Sequence, residues 1–320
     1  MSIALTASLI AGGVVALCAA GSVYGAKTLY NKTIPRQDQL RVDLDEMADA
    51  GQWEEYMKII TPNKEWLMQR AMDHVTIKSR DNLTLHADYV KADGDSDTIV
   101  IASHGYTGCG LKDCASISTY FLKNGTDCLI VDNRAHGKSE GQYVGFGILD
   151  RYDLLEWIKY VNKRFDGKKK IILYGVSMGG ATVLMTTGLK EIPDNVKAVV
   201  ADCAFTSPYD VFAHVLKKDY HMAEFPVMNI NNVMCRKNAG YGFKDYSTLT
   251  AVKETNIPIL FIHGEKDDFV PTWMSEKNYE VCNSPKELLI VPNAAHAASY
   301  YENTQQYEEK VSAFVDKYVK

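Results

Sequence analysis

The sequence predicts an α/β fold built on a mainly parallel, eight-stranded sheet with helices on both faces, a small helical cap, and an apolar helix ahead of it. Three observations carry that prediction. From Asp73 to the C-terminus, short β-branched runs alternate with helix-length amphipathic segments, as in strands joined by crossover helices. A single serine between glycines, Ser177, stands where one such run gives way to a helix-like segment. Residues 205–256 then interrupt the alternation with a Met-, Tyr-, Phe- and Asn-rich stretch too long for an ordinary connection.

Taken in order, residues 1–30 are expected to form a membrane anchor. Ser2 to Ala26 contains no charged side chain and exceeds the roughly 20 residues that cross a bilayer. A cleaved signal peptide would have Lys or Arg ahead of an apolar stretch of only ~7 to 15 residues. Leu17 before Cys18 likewise does not suit a lipoprotein cleavage site. The expected result is an uncleaved, single-pass helix whose partner is the lipid bilayer. Lys27, Lys32, Arg36 and Arg41 all follow it, so positive-inside counting places the remainder in the cytosol, the extracellular face being the alternative. Seven cysteines, an odd number, agree with reducing surroundings, and Cys128 and Cys203 sit in apolar runs that suit small hydrophobes. A formal net charge of −5 and the lack of any Lys/Arg run argue against a nucleic-acid partner.

Residues 31–72 read as a helical connector, with Trp53, Tyr56, Ile59 and Ile60 near helical spacing and Pro62 opening a second short helix. The domain proper, 73–320, holds the strand candidates "VTIKS", "LTLHADYV", "TIVIAS", "DCLIVD", "KIILYG", "VKAVVAD", "PILFIHG" and "KELLIVP", in that order. Only Arg80, Asp81 and Asn82 separate the first two, which should pair antiparallel at one edge. The insert at 205–256 is the expected cap.

The chemistry centres on Gly175-Val176-Ser177-Met178-Gly179. Between a strand and a helix beginning at Met178, a G-x-S-x-G turn lifts the serine hydroxyl off the top of a sheet. Its glycines let the backbone follow that path without a Cβ clash. A plain helix N-cap is the alternative role for the same serine. As a nucleophile the hydroxyl needs a base, and the base needs an orienting acid. Of the eight histidines, His296 lies in the loop between the last strand and the C-terminal helix. His104, His136 and His263 each precede a glycine, and His74, His86, His214 and His221 occupy strand or cap positions. The acid is expected after the seventh strand, at Asp267, with Asp268 adjacent. A third candidate, Asp202 at the end of the sixth strand, better suits holding amides at the cap entrance. Chain order Ser177, Asp267, His296 is nucleophile, acid, base. The backbone N–H groups of Met178 and of Tyr106, in "SHGYTG", are the expected oxyanion donors, with His104 and Gly105 shaping the turn.

These motifs, together with "DNRAHGKSEG" and "DCAFTS", resemble those of the α/β-hydrolases over nearly everything from Asp73 onward. More narrowly, the chain is similar to membrane-anchored bacterial members related to the serine aminopeptidase and prolyl oligopeptidase branch. The resemblance implies a triad of Ser177, Asp267 and His296, with no metal and no organic cofactor. It departs from the pattern at Ala135, where relatives usually carry glycine in "D-x-R-G-H-G"; Asp132 and Arg134 of that loop are expected to brace the sheet edge. Residues 1–72 leave no room for the propeller that restricts oligopeptidases to short peptides, so the expected substrate is a small-molecule acyl ester cleaved through an acyl-enzyme. A thioesterase and a serine aminopeptidase are the enzymatic alternatives, and a binding protein on the same fold is the non-enzymatic one. A zinc hydrolase has no support from spacing, since neither H-E-x-x-H nor C-x-x-C occurs.

Overall fold

The structure is a computed structural model and describes residues 21–37 and 50–320. Eight strands form one sheet: β1 (Met72–Lys78), β2 (Thr84–Val90), β3 (Thr98–Ser103), β4 (Asp127–Val131), β5 (Lys170–Val176), β6 (Val196–Asp202), β7 (Ile259–Gly264) and β8 (Lys286–Val291). They lie side by side as β1-β2-β4-β3-β5-β6-β7-β8. β1 runs antiparallel to β2, and β2 to β4, while every later pair is parallel. All eight strand candidates therefore appear. β1 begins at Met72 rather than Val75 because Met72, Asp73 and His74 still find ladder partners on β2.

The described helices are α1 (21–33), α2 (Ala50–Met68), α3 (Gly110–Asp113), α4 (Ala115–Lys123), α5 (Asp150–Arg164), α6 (Met178–Thr187), α7 (Pro208–Asp219), α8 (Glu224–Ala239), α9 (Thr248–Glu254), α10 (Trp273–Val281), α11 (Ser299–Glu302) and α12 (Thr304–Tyr318). They cover both faces of the sheet, and β3 to β7 are accordingly buried almost throughout. The two-residue period of a strand divides the labour. On β5, Ile172 and Tyr174 pack with residues of α2, α4 and α12, whereas Ile171 and Leu173 pack with residues of α5, α6, α9 and α10. A third apolar cluster joins α1, residues 143–149, Met178 and the pair α7 and α8.

Two expectations change. The cap is α7 with α8; α9 packs against α6 and α10 as the crossover helix before β7, so the cap ends near Ala239 rather than at 256. Pro62 lies inside α2 instead of opening a second helix. An interior proline costs ~3 kcal/mol, and packing offsets it: α2 lies along α4, Leu67 is fully buried, and Thr119 Oγ1 donates to the Asn63 carbonyl at 3.0 Å.

The anchor expected at Ser2 to Ala26 falls outside the described residues as far as residue 20. Among the described residues no helix is long and apolar enough to cross a membrane. Residues 21–26 belong to α1, where Ala26, Leu29 and Tyr30, together with Ile34 just beyond, are buried in the cap cluster. The expected boundary between anchor and connector thus falls within one packed helix.

Candidate active site

β5 ends at Val176 and α6 begins at Met178, which leaves Ser177 alone in the turn at φ 55° and ψ −116°. Such a conformation costs a non-glycine residue ~1–3 kcal/mol. The turn is tight: a Cβ on Gly175 would strike the Gly179 carbonyl, and one on Gly179 would strike the Ser103 carbonyl. The Ser177 amide donates to the Asp202 carbonyl at 2.8 Å and ties the turn to β6. The Ser177 side chain makes no capping bond to α6, which removes the N-cap alternative. Its Oγ lies 2.9 Å from His296 Nε2 instead.

His296 Nδ1 lies 2.7 Å from Asp267 Oδ2. A carboxylate only accepts, so it holds the imidazole proton on Nδ1 and leaves Nε2 free to accept from Ser177. Asp267 is itself held by four donors. Its Oδ1 accepts from the amides of Val270 at 2.9 Å and Phe269 at 3.1 Å. Its Oδ2 also faces His263 Nε2 at 3.1 Å. That nitrogen is 2.7 Å from the Val270 carbonyl, so it carries the proton and shares it between two acceptors, while Ser275 Oγ donates to Nδ1 at 2.6 Å. Burial opposes the Asp267 charge, but the His296 charge and the hydrogen bonds from both histidines outweigh it and hold the carboxyl well below the usual carboxylate range. Burial likewise opposes a charged His296, and the adjacent Asp267 outweighs it, so the His296 pKa lies above 6.5.

The loop after β3 lies against Ser177, since a Cβ on Gly105 would sit 3.5 Å from the Ser177 Cβ. Four side chains fix its course. His104 donates from Nδ1 to the Gly105 carbonyl at 2.7 Å and accepts at Nε2 from the Asn133 amide at 2.9 Å. Asn133 Nδ2 donates to the His104 carbonyl at 2.9 Å. His136 Nε2 accepts from the Thr107 amide, and Asp113 Oδ2 from the Gly105 amide, each at 3.2 Å. Burial pushes His104 down to about 4; burial and the neighbouring His104 push His136 down to about 3. Both imidazoles are neutral structural groups. The Tyr106 amide finds no hydrogen-bond partner among the described residues. The Met178 amide opens α6, where first-turn N–H groups lack an intrahelical acceptor.

The fold therefore brings Ser177, Asp267 and His296 together, with the Met178 amide next in the chain to Ser177 and the loop that carries Tyr106 against it at Gly105. Asp268 points away, its carboxylate 2.6 Å from Lys218 Nζ. Asp202 does not hold amides at the cap entrance. Strand alternation turns it, like Ala198 and Val200, toward α12, where its Oδ2 accepts from the Tyr307 hydroxyl at 3.0 Å. Cys203 Sγ lies within 4.8 Å of the ligand atoms of Asp267 and His296. Burial, reinforced by Asp202 and Asp267, raises its thiol far above the usual value, so it packs as a neutral group. His263, Asn133 and Asp113 complete the site without having been singled out for these roles by sequence. His263 shares its only signal, a following glycine, with His104 and His136.

Residues 120–320 match the prolyl oligopeptidase family, a span that contains the Ser177 turn, Asp267 and His296. The chain belongs to that family. YqkD of Bacillus subtilis is 30% identical over 228 residues, covering 71% of this chain and 74% of YqkD. The Saccharomyces cerevisiae membrane protein YNL320W is 24% identical over 226 residues, covering 70% of this chain and 73% of its own. Among solved structures, the Pyrococcus furiosus esterase Pf2001 superposes with a TM-score of 0.63 at 22% identity, over 79% of this chain and 93% of the esterase. The Pyrococcus horikoshii acylaminoacyl peptidase gives 0.58 at 18% identity, over 79% of this chain and 43% of the peptidase. This prolyl oligopeptidase family member therefore has the α/β-hydrolase fold, shared by an esterase and a peptidase.

Proposed function

We propose that this protein is a membrane-anchored serine hydrolase that cleaves carboxylic esters through an acyl-enzyme. The observation that carries the proposal is the unbroken path from Ser177 Oγ through His296 to Asp267, with spacings of 2.9 and 2.7 Å. Ser177 Oγ attacks the ester carbonyl while its proton passes to His296 Nε2. Asp267 Oδ2 stabilises the resulting imidazolium. The negative charge on the carbonyl oxygen meets the amides of Met178 and Tyr106, each such donor being worth roughly 10² to 10³ in rate. Collapse breaks the ester C–O bond, and His296 returns the proton to the departing alkoxide. A water then gives a proton to His296, attacks the acyl-enzyme, and releases the acid and Ser177.

The surroundings support an apolar acyl group. Aromatic rings run from the oxyanion loop into the cap: Tyr106 to Phe146 at 5.2 Å, Phe146 to Phe212 at 4.8 Å, and Phe212 to Phe243 at 4.9 Å. Thioesters and aminoacyl amides present the same carbonyl, and relative rates on compounds of equal acyl size separate esterase from thioesterase and peptidase. The bilayer partner and the cytosolic placement are supported by the uncharged run Ser2 to Ala26 and the cations behind it. The test is fluorophosphonate labelling with the modified peptide identified by mass spectrometry. Labelling at Ser177 that disappears in Ser177→Ala is expected. Folded wild type that is neither labelled nor active on methylumbelliferyl butyrate would leave a binding protein on a hydrolase fold.

A further inference from the structure

We propose that α1 and the cap form a docking face for an anionic bilayer surface, and that the substrate is consequently a long-chain acyl ester drawn from the membrane. The proposal rests on the anchor and hydrolase readings above and adds where the site faces. Four observations support it.

The first is the absence of slack between the apolar segment and the cap. The uncharged run ends at Ala26, and the chain is already helical from residue 21. Ala26 is fully buried, and its carbonyl accepts from Asn231 Nδ2 of α8 at 3.4 Å. Gly25 lies so close to Met222, in the α7–α8 turn, that a Cβ there would come within 2.7 Å of its terminal methyl. Tyr24 is only about 3 Å along the helix axis from Ala26. A bilayer entered by the preceding segment must therefore lie beside the cap. Downstream, the Val144 amide donates to the Ile34 carbonyl and the Arg36 amide to that of Gln142, each at 2.8 Å, so α1 is fixed at its other end as well.

The second is where apolar side chains are exposed. Of the eight large exposed hydrophobics among the described residues, five belong to this region: Val23 and Tyr24 on α1, Tyr220 in the α7–α8 turn, and Phe225 and Val233 on α8. Phe225, at the non-helical start of α8, and Val233 further along it are 77% and 65% exposed, whereas Val227, Met228, Asn231 and Cys235 of the same helix are buried. Apolar and tyrosine side chains at such a surface suit the bilayer interface.

The third is charge. Residues 21–37 and 208–239 together hold seven Lys/Arg against three Asp/Glu, and an excess of two cations remains when Asp245 and Asp268, the partners of Arg236 and Lys218, are counted, in a chain whose net charge is −5. A locally basic surface on an acidic protein favours anionic headgroups. The fourth is the connection to the chemistry. The Tyr106 hydroxyl donates to the Lys32 carbonyl at 2.8 Å, so the loop carrying the expected oxyanion donor is tethered to α1. An acyl chain leaving the bilayer beside the cap would meet the aromatic path toward Ser177.

The experiment uses the full chain reconstituted in phosphatidylcholine vesicles containing phosphatidylglycerol, with and without brominated acyl chains. Two variants report position: Val233→Trp on the cap, and Lys168→Trp in the loop before β5, at the opposite ends of the parallel strands. Bromine quenching of the added indole, measured relative to wild type, is expected to be severalfold greater at Val233. Equal quenching at the two positions overturns the docking. The double variant Phe225→Ser/Val233→Ser should lose roughly tenfold of its activity on vesicle-borne methylumbelliferyl oleate, from two apolar side chains no longer in contact with lipid, while keeping its activity on soluble methylumbelliferyl butyrate. Equal loss on both esters overturns membrane supply of the substrate. Wild type inert toward both esters, with Val233→Trp still quenched, would sink the hydrolase reading and leave the docking face standing.

Discussion

Among the strand-end turns that hold a residue other than glycine at positive φ, two make a direct contrast: Ser177 after β5, at 55°, and Ala135 in the loop after β4, at 60°. Around Ser177, glycines absorb every close approach, and the side chain held in the strained position is the one that meets His296. Around Ala135 nothing reactive is near. Its amide donates to the Glu140 carbonyl at 3.0 Å, its side chain is buried in the cap cluster, and the adjacent Arg134 anchors the loop by pairing with Asp153 at 2.6 Å and Asp81 at 3.0 Å. The same kind of backbone cost thus supports presentation of a hydroxyl in one turn, whereas in the other the strained residue itself only packs, in a loop whose Asn133 and His136 brace the segment after β3. Removing each side chain in turn tests that distinction.

The largest effect is expected at the first turn. Ser177→Ala should lower kcat/KM on a short-chain ester by at least about 10⁴, because the base and oxyanion amides then have no nucleophile to serve. Ser177→Gly should be equally inactive but more stable than Ser177→Ala by about 1 kcal/mol, since glycine takes this conformation without the Cβ penalty. Urea midpoints of the two variants decide it, and a less stable glycine variant would mean that the turn is not strained by its side chain.

Next in size is Asp267→Asn, which should cost about 10³ to 10⁴ in kcat by losing the tautomer that points Nε2 at Ser177. It should also move the pH profile. His296 must be neutral to accept the proton, and its pKa is raised above 6.5 by Asp267. Wild-type kcat/KM should therefore fall as pH drops through an apparent pKa above 6.5, and this acid limb should shift downward in Asp267→Asn. A wild-type limb at or below 6.5 would show that the carboxylate does not act on His296 as described.

A smaller loss, roughly tenfold, is expected for His263→Phe, which removes one hydrogen bond to a charged oxygen. Here the limb should move upward. Asp267 without that donor is a stronger base and holds the His296 proton more tightly. An unmoved limb with the same loss would assign His263 to packing alone.

The parts legible in sequence were those with a local cause. β-Branched runs marked all eight strands, the half-exposed edge strand β1 as well as the buried β3 to β7, and G-x-S-x-G between a strand and a helix marked the turn at Ser177. Asp267 and His296 were picked out by their places in the loops after the seventh and eighth strands and by chain order. What escaped depended on packing between distant segments. Pro62 continues a helix because α4 lies alongside it, and α9 looks no different from cap helices until it is seen against α6. Ala26, Leu29 and Tyr30 are apolar whether lipid or protein covers them, and here protein does. His263 resembles His104 and His136 in its neighbours, and only the return of the loop at Asp267 to its Nε2 separates them.

The smallest expected effect is also the one that isolates the second turn. In Ala135→Gly, relief of the left-handed conformation gains ~1–2 kcal/mol, while the lost buried methyl costs ~0.8 kcal/mol and the freer unfolded chain costs ~0.5–1 kcal/mol. These contributions nearly cancel, so the urea midpoint should scarcely move and kcat/KM should stay at the wild-type value. The cancellation also explains how alanine persists where the resemblance led one to expect glycine: the methyl recovers, by burial beside residues such as Val144 and Phe146, about what its backbone loses. A marked drop in kcat/KM with unchanged stability would instead mean that the Ala135 methyl is needed to keep His136 and Asn133 in place against the oxyanion loop, and the contrast between the two turns would disappear.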